Sequence, residues 1–273
     1  MTSYLFILQA SPFLQVLFLS AVQFPQQKIY TEGDASGSNE NMQQYIPFNK
    51  VLEKQTKDDG LKKGERTKLR LMIATAKLLQ DTFFHDLRIV DICKESGVSQ
   101  GTFYLYFEDK MDIATTTLSK FVHHIYQALK EAGKNRNSLS ESAYFTTLAY
   151  VEQFHLNKGL LRCLMQMTEE STKFEEIYQT LNSNWNKRTA EAIARRTRKP
   201  LSENPEGLLV VYAAGGMVDE YLASLYVRRD PILVEHSGSP EDVAELLSKL
   251  WLRAVFGSRL GTEIQPASAG IPV

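Results

Sequence analysis

Three features of the 273-residue sequence predict an all-α fold. Beyond residue 65, apolar side chains recur at spacings of three and four, the period of a helix that buries one stripe. No convincing strand alternation interrupts that pattern. Breaks fall at Gly97, at Gly133-Lys134-Asn135 and at Lys199-Pro200. The composition, 43% apolar and 23% charged, is that of an ordinary soluble chain. A net charge of −1 announces no nucleic-acid partner, although a whole-chain count can hide a local basic patch. Cys93 and Cys163 lie far apart and suggest neither a disulfide framework nor a zinc site, which fits a reducing cytoplasm.

The N-terminal extension, residues 1–49, begins with 27 residues that carry no charge. Tyr4 to Val22 is apolar but interrupted by Gln9, Ser11, Pro12 and Gln15. As a helix it would span roughly 28 Å, barely a bilayer core. A secretory signal needs a positive start, which Met1-Thr2-Ser3 lacks. Three readings stand: a mis-assigned start with Met42 as the true one, a weak membrane anchor, or an extra packing helix. Gln23 to Asn49 turns polar and reads as a disordered linker. Residues 50–70 carry eight cations against four acids, either a solvated lead-in or an arm lying on phosphates.

The first predicted helix has Leu69, Met72, Ile73, Ala76, Leu79 and Phe83 on one face. A short helix ends near Ser96, Gly97 makes a turn, and a second short helix runs from Gln100 to Phe107. A long helix follows from about Met111 to Lys130, with Ala114, Leu118, Phe121, Val122, Ile125 and Leu129 inward. Further helices are expected over 139–156, 159–168, 172–198, 206–228 and 240–256, with a frayed tail from 257 to 273. The division is thus a head over 50–112 and a helical body over 113–256.

The informative stretch is Ile89 to Phe107. Two short helices crossing steeply need a small residue at the crossing, here Cys93, and a glycine able to take positive φ, here Gly97. Ile92, Val98, Phe103 and Phe107 supply buried anchors, and Ser99 is a natural N-cap for the amide of Gly101 or Thr102. The opposite face then offers Gln100, Gly101, Thr102, Tyr104 and Tyr106, a set suited to a DNA major groove. Gln100 can make a paired hydrogen bond to an adenine edge, and Thr102 can reach a base, a phosphate or a thymine methyl. Gly101 lets backbone come close, and the tyrosine hydroxyls can hold phosphates. Lys110 is placed for one more phosphate. A pair of short core helices with exposed tyrosines is the structural alternative.

The run Gly-Val-Ser-x-Gly-Thr-x-Tyr-x-Tyr-Phe-x-x-Lys, from Gly97 to Lys110, closely resembles the DNA-binding signature of the TetR family of repressors. The resemblance covers roughly residues 66–115; beyond them only the helical plan matches. It places DNA-contacting roles on Ser99, Gln100, Gly101, Thr102, Tyr104, Tyr106 and Lys110. There are departures: Phe83-Phe84 and Leu87-Arg88 stand where the family commonly has Gly-Phe and Thr-Thr, and Cys93 stands for the usual alanine. Arg88 keeps a hydrogen-bond donor for a phosphate, and Asp86 is a candidate to cap the following helix.

In the body, Leu208 to Val218 is apolar nearly all round, and the last helix has a wide stripe of Val243, Leu246, Leu247, Leu250, Trp251, Ala254 and Val255. Gly215 and Gly216 weaken their helix by about 1 kcal/mol each against alanine, which close backbone approach would offset. The resemblance implies a four-helix bundle with a second subunit; the alternative is an ordinary monomer core. Such a homodimer would set two reading helices about 34–36 Å apart on a palindromic operator in double-stranded DNA. It also implies a pocket for a small-molecule effector among the middle helices. Candidate lining residues are His155, Met165, Met167, Tyr178, Trp185, Tyr212 and Met217, with Glu220 orienting a polar group, although each fits plain core as well. The cluster Lys187, Arg188, Arg195, Arg196, Arg198 and Lys199 suits the last turns of a helix better than a second nucleic-acid site.

No Gly-x-Ser-x-Gly elbow, phosphate-cradling glycine loop or His-Glu-x-x-His is present, and the five histidines have no metal-ligand spacing. No enzyme activity, cofactor or metal is expected. The resulting expectation is a cytoplasmic transcriptional regulator, a repressor released by its effector. Its rivals are a membrane-tethered regulator, or a small-molecule-binding protein or enzyme without DNA reading.

Overall fold

A computed structural model of the chain describes residues 45–197 and 205–256. Residues 1–44, with the apolar N-terminal stretch, lie outside the described residues, as do Arg198, Lys199 and the tail from Gly257. The described residues form eleven α-helices and one π-helical segment, with no strand among them. In order, α1 is Phe48–Gln55, α2 Lys63–Asp81, α3 Ile89–Ser96, α4 Gln100–Phe103, α5 Lys110–Ala132 and α6 Leu139–Leu156. There follow α7 Lys158–Glu170, α8 Thr172–Thr197, α9 Pro205–Leu222 with its π extension Ala223–Arg228, α10 Pro231–His236 and α11 Pro240–Phe256.

At one end α2 is the hub, packed by α1, α3, α5 and α7. Its buried face includes Leu69, Met72, Ile73, Ala76 and Leu79, as the spacing predicts, and Glu65 steadies its start by accepting from the Lys62 amide at 3.0 Å. Phe83 does not extend that face. The helix stops at Asp81 because Thr82 is extended and its hydroxyl folds back onto the Leu78 carbonyl at 2.7 Å, leaving Phe83 half exposed. Among the remaining helices α11 lies along α6, while α9 packs between α8 and α11. Asp109 and Ser138 cap α5 and α6 by accepting from the amides of Asp112 and Glu141.

Two helices depart from the expectation. The short α10 interrupts the loop after the π segment, started by Asp230, which accepts from the Ile232 and Leu233 amides, with Pro231 in the first turn. The larger departure is α1, which occupies residues read as linker and charged lead-in. Phe48 and Leu52, one turn apart, are fully buried, and the Phe48 ring meets Phe121 at 5.2 Å and His124 at 5.6 Å. The Phe48 amide donates to Asn157 Oδ1 at 2.8 Å, so α1 is tied to the joint between α6 and α7.

Burial beside Phe48 holds the His124 imidazole neutral, with its pKa below the ordinary 6.5. An unfolded chain binds that proton more readily, so the stability from a neutral His124 is present above pH 6.5 and is lost as pH falls through the lower folded value. The melting temperature should therefore decline on acidification from about pH 7 to pH 5, and His124→Phe should flatten part of that decline. An unchanged slope in the variant would remove the assignment.

One stripe of α7 grips the start of the α2–α3 loop. The Gly159 amide donates to Gln80 Oε1 at 3.1 Å, and Gln80 Nε2 donates to the Leu156 carbonyl at 3.3 Å. Arg162 donates to the Thr82 carbonyl at 3.1 Å and lies 4.4 Å over the Phe83 ring. Gln166 accepts from the Phe84 amide, and Glu170 pairs with His85 at 2.8 Å. The adjoining stripe, Leu160, Leu161, Cys163, Leu164 and Met167, is buried in the body.

Candidate nucleic-acid interface

The helix-turn-helix geometry follows from local chemistry. Gly97 takes φ +64, which an L side chain adopts only under strain. Its amide bonds the Lys94 carbonyl and the Val98 amide bonds that of Cys93, so α3 closes in a Schellman pattern. Ser99 then caps α4: its hydroxyl accepts from the Thr102 amide at 3.1 Å and lies 2.9 Å from the Thr102 hydroxyl. Phe103 and Phe107 are buried with rings 5.8 Å apart, and Ile92, Cys93 and Val98 are buried with them.

The expected helix from Gln100 to Phe107 is shorter in the structure. It ends at Phe103, because the amides of Leu105 and Tyr106 bond three residues back and tighten the chain before Phe107 returns to the core. Asp86 does not cap α3 either. The N-cap is Arg88, with no side-chain cap bond, and its guanidinium forks onto Asp91 at 2.7 and 3.0 Å. That pairing lowers the pKa of Asp91 and raises that of Arg88.

On the outer face, Ser99, Gln100, Gly101 and Tyr104 are exposed and Thr102 is half exposed. A Cβ at Gly101 would meet nothing within 4 Å of the chain itself. Tyr104 stands edge-on to Phe103 with ring centres at 5.3 Å. Tyr106 is half buried, with its hydroxyl beside Gly64 at the start of α2. Lys110 sits differently from its expected freedom: its ammonium donates to the carbonyls of Phe84 and His85, at 3.4 and 3.0 Å, and lies 4.9 Å over the Phe84 ring. The spacing pattern did not reveal two further cations from α2. Lys68 lies 5.3 Å over the Phe107 ring, and Arg70 donates to the Ser96 carbonyl at 2.6 Å. Their only signal was membership of the basic run before residue 71.

Residues 71–115, which hold this geometry, match the family model for bacterial regulatory proteins of the tetR family. The HTH-type transcriptional regulator EthR of Mycobacterium tuberculosis is 24% identical over 197 residues, covering 71% of this chain and 89% of EthR. Residues 71–115 thus carry the DNA-binding segment of the tetR family. The chain is a DNA-binding transcriptional regulator, and the relatives it matches are regulators rather than enzymes. The fatty acid metabolism regulator protein of Bacillus subtilis is 27% identical over 113 residues, covering 37% of this chain and 58% of that protein. Among solved structures, the fatty acid degradation regulator FadR from Bacillus halodurans superposes with a TM-score of 0.52 at 14% identity. It covers 70% of this chain and 97% of its own, so the shared helical plan extends through the body.

The candidate effector residues are not brought together as one set in the helical body. Met167 and Tyr178 are buried, and Met165 is half buried. His155 is exposed with its ring edge-on to Tyr226, Tyr212 and Met217 are exposed, and Glu220 is exposed and paired with Arg228. The side chains of Trp185, Arg195 and Arg196 lie outside the described residues; Lys187 and Arg188 are exposed. Sequence reasoning missed a polar interior. The Tyr150 hydroxyl bonds the fully buried Asp219 at 2.9 Å, and burial together with the nearby Asp219 charge raises the pKa of Tyr150 and Tyr178. Asn186 on α8 is fully buried, and neither its amide nitrogen nor its oxygen finds a partner among the described residues. The same holds for the hydroxyls of Thr147 on α6 and Thr117 on α5.

Glu206–Arg228 is long and apolar enough to cross a membrane by length and composition, but Val211, Ala214, Val218 and Leu222 are buried within the chain. The outward face of α9 carries Leu209, 66% exposed, with Tyr212 and Met217, and α11 adds Leu246, 46% exposed.

Proposed function

We propose that the chain acts in the cytoplasm as a homodimeric repressor that binds a palindromic operator and leaves it when a small molecule enters the body. The observation that carries the reading is the outer face of α4. Gln100, Gly101 and Tyr104 stand free while Phe103 and Phe107 hold the element from behind, so base edges are within reach of side chains that have no other role. Ser99, Thr102 and Tyr106 flank that face and serve phosphates and register. Arg88 and Lys110 reach DNA only by exchanging intramolecular partners, Asp91 for the first and two carbonyls for the second.

Dimerisation is supported by the uncovered apolar face of Leu209, Tyr212, Met217 and Leu246, and by Gly216, where a Cβ would meet nothing within 4 Å. An effector site is supported by the unpartnered Asn186, Thr147 and Thr117. Each unsatisfied buried group costs on the order of 1–3 kcal/mol, and a bound molecule with polar groups would offset this. The names of one relative and one structural neighbour make fatty acids the first class to test.

Gel shifts with DNA upstream of the chain's own gene should show binding that weakens with salt. Gln100→Ala should change base preference at one position of the site, whereas Tyr106→Phe should weaken binding to every sequence alike. A fatty acid added to the complex should release it. If wild type and both variants bind such fragments equally poorly, the reading fails.

A further inference from the structure

The α4 helix has four residues, too few to hold its own conformation, so its pose depends on what braces it. Phe103 fixes its inner side and Ser99 its first turn. The remaining freedom is rotation about the turn Ser96-Gly97-Val98, which links it to α3. A helix end leaves its last carbonyls unsatisfied. Here the Schellman bonds occupy those of Cys93 and Lys94. The carbonyl of Ser96 is occupied by Arg70 from α2, with Nη2 at 2.6 Å, and the same nitrogen is 3.5 Å from the Gly97 carbonyl. It also lies 3.1 Å from where a Gly97 Cβ would stand.

We propose that Arg70 is a positioning residue for DNA reading. Its guanidinium fastens the α3–α4 turn to α2 and thereby sets the angle at which Gln100 and Thr102 meet base edges, without itself holding a phosphate. A cation at the negative end of α3 also complements the helix dipole. Arg70 Cα belongs to the long, well-buried α2, so the fastening transfers the rigidity of a 19-residue helix to one of four residues. Lys replaces it only in part, because its ammonium sits on a flexible stem and lacks the preorganised planar group that holds Nη2 in place. The inference rests on α4 being the reading element, and the test separates the two.

The probe is a duplex selected by the full-length wild-type chain from a randomised pool, with the unselected pool as the non-specific reference. Failure of selection would undo the assignment of α4 to reading and not only that of Arg70. Given a selected duplex, Arg70→Met should lose about tenfold of its affinity for it, the scale of one charge-assisted hydrogen bond. Affinity for the unselected pool should stay within about twofold, and the salt slope should be unchanged. Arg70→Lys should recover part of the loss. A slope shallower by about one would mean a direct phosphate contact and would overturn the proposal. So would equal losses on both DNAs together with a lowered melting temperature, or no loss at all. Should Arg70→Met melt below the assay temperature, Arg70→Lys gives the same comparison at smaller amplitude.

Discussion

Gly159→Ala is expected to destabilise the chain by about 3 kcal/mol, the upper range for an overpacked site. For a chain of this size that corresponds to a fall in melting temperature of about 6–12 °C. The added Cβ would lie 2.3 Å from Gln80 Cα and from the carbonyl oxygens of both Leu79 and Gln80. These are backbone atoms of α2, so no side chain can swing aside. Relief requires α7 to part from α2, and Arg162, Gln166 and Glu170 would be drawn off the same loop with it. DNA affinity should therefore fall along with stability, and by more than the unfolded fraction accounts for. A thermal melt within about 2 °C of wild type would show that the joint has slack that the geometry denies.

The second large effect belongs to Phe103→Ala. Phe103 is fully buried, packed on Phe107 and edge-on to Tyr104, and it is the one inward side chain of α4. Truncating a buried phenylalanine costs about 3–5 kcal/mol through lost transfer energy and the cavity left behind. A four-residue helix has no other source of order on that scale, so α4 should come apart before the body does. The expected signature is loss of sequence-specific binding with helical circular dichroism nearly intact, since α5–α11 do not depend on this contact. Hydrogen exchange should show the amides of residues 100–107 losing protection first. If specific DNA binding survived, Phe103 would not be the anchor.

The helix-turn-helix was legible in the sequence because its determinants are local. A glycine at positive φ, a serine cap and two phenylalanines one turn apart fall within eleven residues, and each has a single structural meaning at that spacing. Arg70 and Gly159 were not legible, since their partners lie 26 and 79 residues away and neither residue type announces a distant contact. The α1 helix escaped because its signal is one pair, Phe48 and Leu52, in a run of charge. The effector candidates are scattered over buried and exposed positions for another reason. Leu208 to Val218 is apolar on every side, so its pattern has a period but no phase, and nothing in it says that Val211, Ala214 and Val218 turn inward while Tyr212 and Met217 turn out.

The two stripes of α7 constrain how the protein can change over time. Thirteen residues carry both a set that meets the core and a set that meets the loop below, offset by about a third of a turn. Inserting or deleting one residue would rotate everything beyond it by about 100° and present leucines to polar carbonyls. Substitutions confined to Leu160, Leu161, Cys163, Leu164 and Met167 leave the loop contacts untouched. The packing of the body can therefore change by swapping side chains on one stripe, while the length of this helix stays fixed.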